Sequence, residues 1–106
     1  MIIYQMVYNE SPAPSLNTVL HALGNPNRAH IFSTLCNQEL LTEDLMELFN
    51  ERYLNMRKHL KVLEAGGLIS SYKDGKYRYY HANKNSLKYL TPWVTSLSTI
   101  LDKRSY

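Results

Sequence analysis

Arg52, Arg57, Lys58 and Lys61 fall within one stretch of helical character, and Lys73, Lys76 and Arg78 crowd around Asp74-Gly75 a short way downstream. The first group suits the open face of a helix, the second the tip of a hairpin. Two neighbouring elements that both present cations can enter a groove and grip phosphates on either side of it, so the chemistry on offer is binding of double-stranded DNA. Leu54 lies among the helix cations, where water gives it no reason to be exposed and a base edge would. Leu54, Asn55 and Arg57 are therefore the expected base-reading residues, with Arg52, Lys58 and Lys61 as the expected phosphate contacts. A merely solvated helix face, and lysines that guard a strand edge, are the plainer readings of the same residues.

These side chains need elements to position them. Tyr53, Met56, Leu60 and Leu63 fall on the opposite side of a 3.6-residue wheel and would lock the helix to the body. Tyr53 is also counted with the DNA-facing set, which is then Arg52, Tyr53, Leu54, Asn55, Arg57, Lys58, Lys61, Lys73, Lys76 and Arg78. The helix, placed over 51–65, stops at Gly66-Gly67. Two strands follow, Leu68 to Lys73 and Lys76 to Ala82, joined by Asp74-Gly75 as a type I′ loop. That register sets Lys73 opposite Lys76, Tyr72 opposite Tyr77, Ser71 opposite Arg78, Ile69 opposite Tyr80 and Leu68 opposite His81. Like charges face to face repel, and a phosphate at the tip would relieve them. Tyr72, Tyr77, Tyr79 and Tyr80 read as strand and core material rather than base-stacking platforms.

Upstream, Ser15 to Leu23 carries Leu16, Val19, Leu20 and Leu23 at helical spacing, and Gly24 ends that helix. Asn25-Pro26 reads as an N-cap followed by proline at the first helical position, with Ile31, Phe32 and Leu35 facing inward as the helix runs to about Leu35. Thr42 is the expected cap of a third helix, with Glu43 and Asp44 in its first turn and Leu45, Leu48 and Phe49 as its buried face. A turn around Asn50 completes a helix-turn-helix. Further on, Leu87, Leu90, Val94, Leu97 and Leu101 form a seam one side chain wide, the pattern of a helix–helix interface. Thr91-Pro92 would open that last helix, which runs to about Asp102.

The expected architecture is mainly α with a small β-hairpin: a winged helix-turn-helix of five helices and a two-stranded wing. It divides into an N-terminal arm over 1–14, a DNA-binding core over 15–82 and a C-terminal dimerisation helix over 83–106. The arm, closed by Ser11-Pro12-Ala13-Pro14, could pair as a strand, pack on a partner or stay mobile.

With 106 residues the chain is one domain, small enough for a partner subunit to add stability. Its apolar share of 44% is that of a folded protein and argues against disorder. The formal charge of +3 favours a polyanionic partner, although clustering matters more than the total. A single cysteine, Cys36, excludes an internal disulfide framework and suits a reducing compartment. No stretch approaches the roughly 20 apolar residues of a membrane span. The segment MIIYQMVY has neither the basic flank nor the length of a secretory leader. A cytoplasmic protein with no membrane contact is expected. No glycine-rich phosphate loop and no nucleophile–base pair stands out, so an enzyme, and with it any catalytic residue, is not expected.

The pattern resembles the ArsR/SmtB family of bacterial winged-helix repressors. The resemblance is carried by Leu23-Gly24-Asn25-Pro26-Asn27-Arg28, by Leu41-Thr42-Glu43-Asp44-Leu45, by the run from His59 to Ile69 and by the wing segment from Asp74 to Tyr80. It covers Val19 to Ala82 in the right order and spacing. It implies an obligate homodimer joined through the first and last helices, with Leu16, Leu20, Leu90, Val94, Leu97 and Leu101 at the interface. It also implies two recognition helices reading a pseudo-palindromic operator in successive major grooves, on the protein's own promoter, with release by an inducer. One departure concerns the operator: where the family's recognition helix opens with small polar residues, this chain has Glu51-Arg52-Tyr53-Leu54-Asn55-Met56-Arg57.

A second departure concerns sensing. Family metal sites draw on cysteines of the third helix or on Asp, His and Glu of the last. Leu41 to Phe49 holds no Cys or His, and Pro92 to Tyr106 holds no His and one carboxylate, Asp102. No metal and no cofactor is therefore expected. His21 and His30 lie on adjacent helices but make a poor site alone; His59 and His81 read as structural. Cys36 reads first as a buried small hydrophobe, with thiol modification or a bridge across the dimer as the other reading. A winged helix used as a protein–protein adaptor, and a ligand- or thiol-responsive repressor, remain the alternatives to a plain repressor. An activator and a regulator controlled by its own abundance stay open beside them.

Overall fold

The structure, a computed structural model, describes residues 12–104. The expectations for the N-terminal arm over 1–11 and for Ser105 and Tyr106 lie outside the described residues. The elements are α1 (Leu16–Leu23), α2 (Pro26–Asn37), β1 (Leu40–Leu41), α3 (Thr42–Phe49), α4 (Tyr53–Ala65), β2 (Ile69–Asp74), β3 (Tyr77–Ala82) and α5 (Leu90–Lys103). Among the described residues no helix is long and apolar enough to cross a membrane.

Local chemistry sets most of the boundaries. The Ser15 hydroxyl accepts the Thr18 N–H and opens α1. Asn25 caps α2 by accepting from the N–H groups of Asn27 and Arg28 at 2.9 and 3.1 Å, with Pro26 at the first helical position. Arg28 then reaches back, its Nε donating to the Ala22 carbonyl at 2.7 Å and its Nη2 to His21 at 3.3 Å. One arginine thus satisfies orphan carbonyls at the end of α1 and fixes the α1–α2 corner. The α2 helix continues to Asn37, slightly past the expected end. Its core-facing residues still stop at Leu35, so Cys36 is exposed rather than buried.

Two expectations for α3 are corrected. Its N-cap is Leu41, one residue before Thr42, because Asp44 turns back to accept the Leu41 N–H at 3.1 Å. Leu48 is 60% exposed, since the buried arc runs through Leu45, Met46 and Phe49 and is rotated away from it. Asn50 then takes the left-handed conformation, φ 49°, that ends α3 and aims the chain into α4.

The α4 helix starts at Tyr53, not Glu51, and is held by Met56, Leu60 and Leu63, all fully buried. It ends in a Schellman motif: the Gly67 N–H bonds to the Glu64 carbonyl and the Leu68 N–H to the Leu63 carbonyl, both at 3.0 Å, with Gly67 at φ 78°. The core around these helices is closed by Val19, Ala22, Ile31, Phe32, Leu35, Leu45, Leu68, Ile69 and Tyr80.

The hairpin differs from expectation in two ways. It has a third strand, since β1 pairs with β3 and the sheet order is β1-β3-β2. Its register is also shifted by two residues, with Asp74 opposite Tyr77, Lys73 opposite Arg78, Tyr72 opposite Tyr79, Ser71 opposite Tyr80 and Ser70 opposite His81. Asp74 closes β2 and the two loop residues are Gly75 and Lys76. A type I′ loop needs positive φ at both central residues. Here only Gly75, at 65°, supplies it, which suits a type II′ loop with glycine first. The rings of Tyr72 and Tyr79, now directly opposite, stack at 5.3 Å. A shift by two keeps every side chain on its face, so the wing surface survives the change of partners.

Beyond β3 the chain makes a polar knot that sequence reading did not identify. Asn83 Nδ2 donates to the Gly67 carbonyl at 2.8 Å, and its Oδ1 accepts from Ser70 Oγ at 2.6 Å. The Ser86 hydroxyl donates to the Leu68 carbonyl at 2.9 Å. Asn83 and Ser86 are both buried, and together they tie the base of the wing to the turns leading into α5. That helix begins at Leu90, and Pro92 sits in its first turn, where no intrahelical donor is lost.

Candidate nucleic-acid interface

The fold places α4 and the wing side by side, and two side-chain ties hold them. Arg57 Nη1 donates to the Tyr80 hydroxyl at 3.5 Å. Ser71 Oγ donates to Glu64 Oε2 at 2.9 Å while accepting from Arg78 Nη1 at 3.0 Å, which makes a relay from wing arginine to helix carboxylate. Helix and hairpin therefore present their cations as one unit.

Between them lies an open cleft of about 520 Å³. Arg57, Lys73, Lys76 and Arg78 line it, with Tyr53 at the start of α4 and Thr42, Glu43 and Met46 from α3. Lys73 and Arg78 are cross-strand partners, so the expected repulsion is present but between a different pair. Lys76 Nζ lies 5.4 Å from the Tyr77 ring centroid. Among the described residues no carboxylate forms an ion pair with any of these four cations. Their direct partners are neutral hydroxyls and a ring, and with Glu43 the one carboxylate in the lining the cleft keeps an excess of positive charge.

The other expected contacts lie on the outer side of α4. Arg52 precedes its first turn, and Arg52, Leu54, Asn55, Lys58 and Lys61 are exposed. Asn55 Nδ2 is 3.4 Å from Glu51 Oε1. Arg57 is half-buried and faces the wing, not the outer surface where the sequence places it. Tyr53 is 52% exposed and does not lock the helix to the body, because the packing begins a turn later at Met56. Glu43 and Met46 in the cleft wall were not expected; no sequence signal separates them from other residues of a short amphipathic helix.

A second surface is apolar. The α5 helix has no buried residue, and Trp93, Val94, Leu97, Ile100 and Leu101 are all exposed, Leu97 by 40%. Leu20 of α1 is exposed as well, whereas Leu16 and Leu90 are half-buried, Leu90 against the core. The stripe is wider than the expected single seam, because Trp93 and Ile100 flank it.

Among the described residues no group of three or more His, Cys, Asp or Glu side chains is placed to hold a metal ion. Cys36, though exposed overall, borders a small cavity with Phe32 and Leu87, and partial desolvation pushes its thiol pKa up, away from thiolate character. His81 is half-buried; burial lowers its pKa, and the Glu39 carboxylate offsets this in part.

No protein-family model matches the sequence. Individual relatives do. The arsenical resistance operon repressor of Staphylococcus xylosus is 30% identical over 84 residues, spanning 79% of this chain and 81% of that protein. The transcriptional repressor SdpR of Bacillus subtilis (strain 168) is 28% identical over 79 residues, 74% of this chain and 88% of that protein. Among solved structures, an ArsR-like transcriptional regulator from Rhodococcus sp. RHA1 superposes with a TM-score of 0.68 at 26% identity, covering 84% of each chain. The cap-and-corner motif at Asn25 and Arg28, the helix pair, the three-stranded wing and these relatives agree: the chain belongs to the ArsR family of winged helix-turn-helix regulators.

Proposed function

We propose that this protein is a homodimeric transcriptional repressor that places α4 in the major groove of a pseudo-palindromic operator and rests its wing on the flanking backbone. One observation carries the reading: Arg57, Lys73, Lys76 and Arg78 converge on one cleft between helix and wing with no carboxylate paired to them. A cleft with this excess of cations beside an exposed helix face suits phosphate, and the helix beside it is the element narrow enough to enter a groove. Arg52, Lys58 and Lys61 extend the phosphate contacts along the outer side of α4.

The apolar stripe of α5, with Leu20 of α1, is the surface that a second copy covers. Contiguous exposed apolar area of this kind marks an interface, and an isologous dimer doubles the reading heads, as a palindrome requires. In this arrangement residues 15–82 form the DNA-binding core and 83–106 the dimerising segment. The protein is a binding protein rather than an enzyme, and DNA and its own second copy are its partners.

Hydroxyl-radical footprinting on DNA from upstream of the gene tests the arrangement. Two protected patches separated by about one helical turn are expected. Protection of a single patch, or none at protein concentrations that saturate the duplex in a gel, contradicts it.

A further inference from the structure

Leu54 is 72% exposed, more than any other large apolar side chain among the described residues, and Tyr53 beside it is 52% exposed. Neither can roll inward, because Met56, Leu60 and Leu63 anchor the opposite side of α4 in the core. The polar residues nearest them are already engaged: Asn55 with Glu51, and Arg57 with Tyr80 across the wing. The first turn of α4 therefore offers outward an apolar pair, Tyr53 and Leu54, set between the exposed polar residues Arg52 and Asn55. The apolar stripe of α5 and α1 draws on other helices, so subunit contact does not account for Leu54.

A major groove presents one apolar group on a base edge, the 5-methyl of thymine. We propose that Leu54, flanked by the Tyr53 ring, is a specificity-determining residue that reads a thymine in each operator half-site through its 5-methyl group. This rests on the DNA-binding reading and adds the base that α4 selects. Covering one methyl excludes about as much apolar surface as burying one methylene, which corresponds to about fourfold in affinity.

The test uses the full chain. A duplex is selected from a random pool by the wild-type protein, and each thymine is replaced in turn by deoxyuridine, which removes the methyl and keeps the pairing. At one thymine per half-site the replacement is expected to weaken wild-type binding about fourfold. The variant Leu54→Ala, checked for an unchanged circular dichroism spectrum, is expected to bind the thymine and deoxyuridine duplexes equally at that position. Tight binding with no thymine sensitive to the replacement overturns the assignment and leaves DNA binding standing. Sensitivity that persists undiminished in Leu54→Ala overturns it too. Failure to enrich any duplex overturns both readings.

Discussion

The Arg57 guanidinium donates to the Tyr80 hydroxyl at 3.5 Å, and this contact joins the middle of α4 to the central strand of the wing. Tyr80 is fully buried, so it is a fixed post; Arg57 is half-buried, leans on it and lines the cleft. The arginine expected to read bases from the outer face instead stands beside Lys73, Lys76 and Arg78. Under the proposed DNA-binding reading, that position suits Arg57 to clamp a phosphate, set by the wing as much as by its own helix.

Arg57→Ala is expected to weaken operator binding by about 1–3 kcal/mol and to reduce the salt slope by about one. Tyr80→Phe keeps the ring and the core but frees the guanidinium, so affinity should fall by less than in Arg57→Ala, with the salt slope unchanged. Titrations at several salt concentrations check both. An Arg57→Ala variant that binds like wild type would remove Arg57 from the interface.

Lys76 sits at the hairpin tip, in the loop that Gly75 turns. Lys76→Ala should weaken specific and scrambled duplexes alike and lower the salt slope by about one. A loss confined to the specific duplex would give the wing a base-reading role.

Leu97 lies exposed in the middle of the α5 stripe. Leu97→Glu places a charge where the second copy should pack, and sedimentation velocity should show monomers at concentrations where the wild type is dimeric. A surviving dimer would move the interface off α5.

Asn83 is buried and bonded to both Gly67 and Ser70. Asn83→Ala leaves the Gly67 carbonyl without that donor, at a cost of about 1–3 kcal/mol, which a shift in the urea midpoint at unchanged slope would register. An unchanged midpoint would mean that solvent replaces the knot.

His81 gives stability a pH dependence of known sign. Burial lowers its pKa below the ordinary 6.5, with Glu39 opposing, so the folded chain takes up its proton later than the unfolded chain. The contribution is complete above 6.5 and is lost as pH falls from there through the depressed folded value. Denaturation midpoints of wild type and His81→Gln should differ in their slope against pH across that window. Parallel slopes would place His81 outside the effect.

The features legible in the sequence were those that local chemistry decides. Asn25-Pro26, Gly66-Gly67 and the spacing of Met56, Leu60 and Leu63 each specify an end or a face within a few residues. The hairpin register was not legible, because a glycine after Asp74 can serve as second residue of one loop type or first residue of another. Pairing with β1 and the Tyr72–Tyr79 stack settle it, and both are non-local. Strand β1, two residues long, leaves no pattern to detect. The inward lean of Arg57 and the exposure of Cys36 and Leu48 depend on where neighbouring elements stop, which a helical wheel does not contain. The cluster of cations was legible; its division into a cleft and an outer face was not.

The central claim is sequence-specific DNA binding by α4 and the wing. Fluorescence anisotropy of the purified protein, against DNA from upstream of its gene and a scrambled duplex of equal length, tests it most directly. The account predicts tight binding that favours the native fragment and weakens steeply and log-linearly as salt rises. Equal weak binding to both duplexes would contradict the operator reading, and no binding at low salt would contradict the account as a whole.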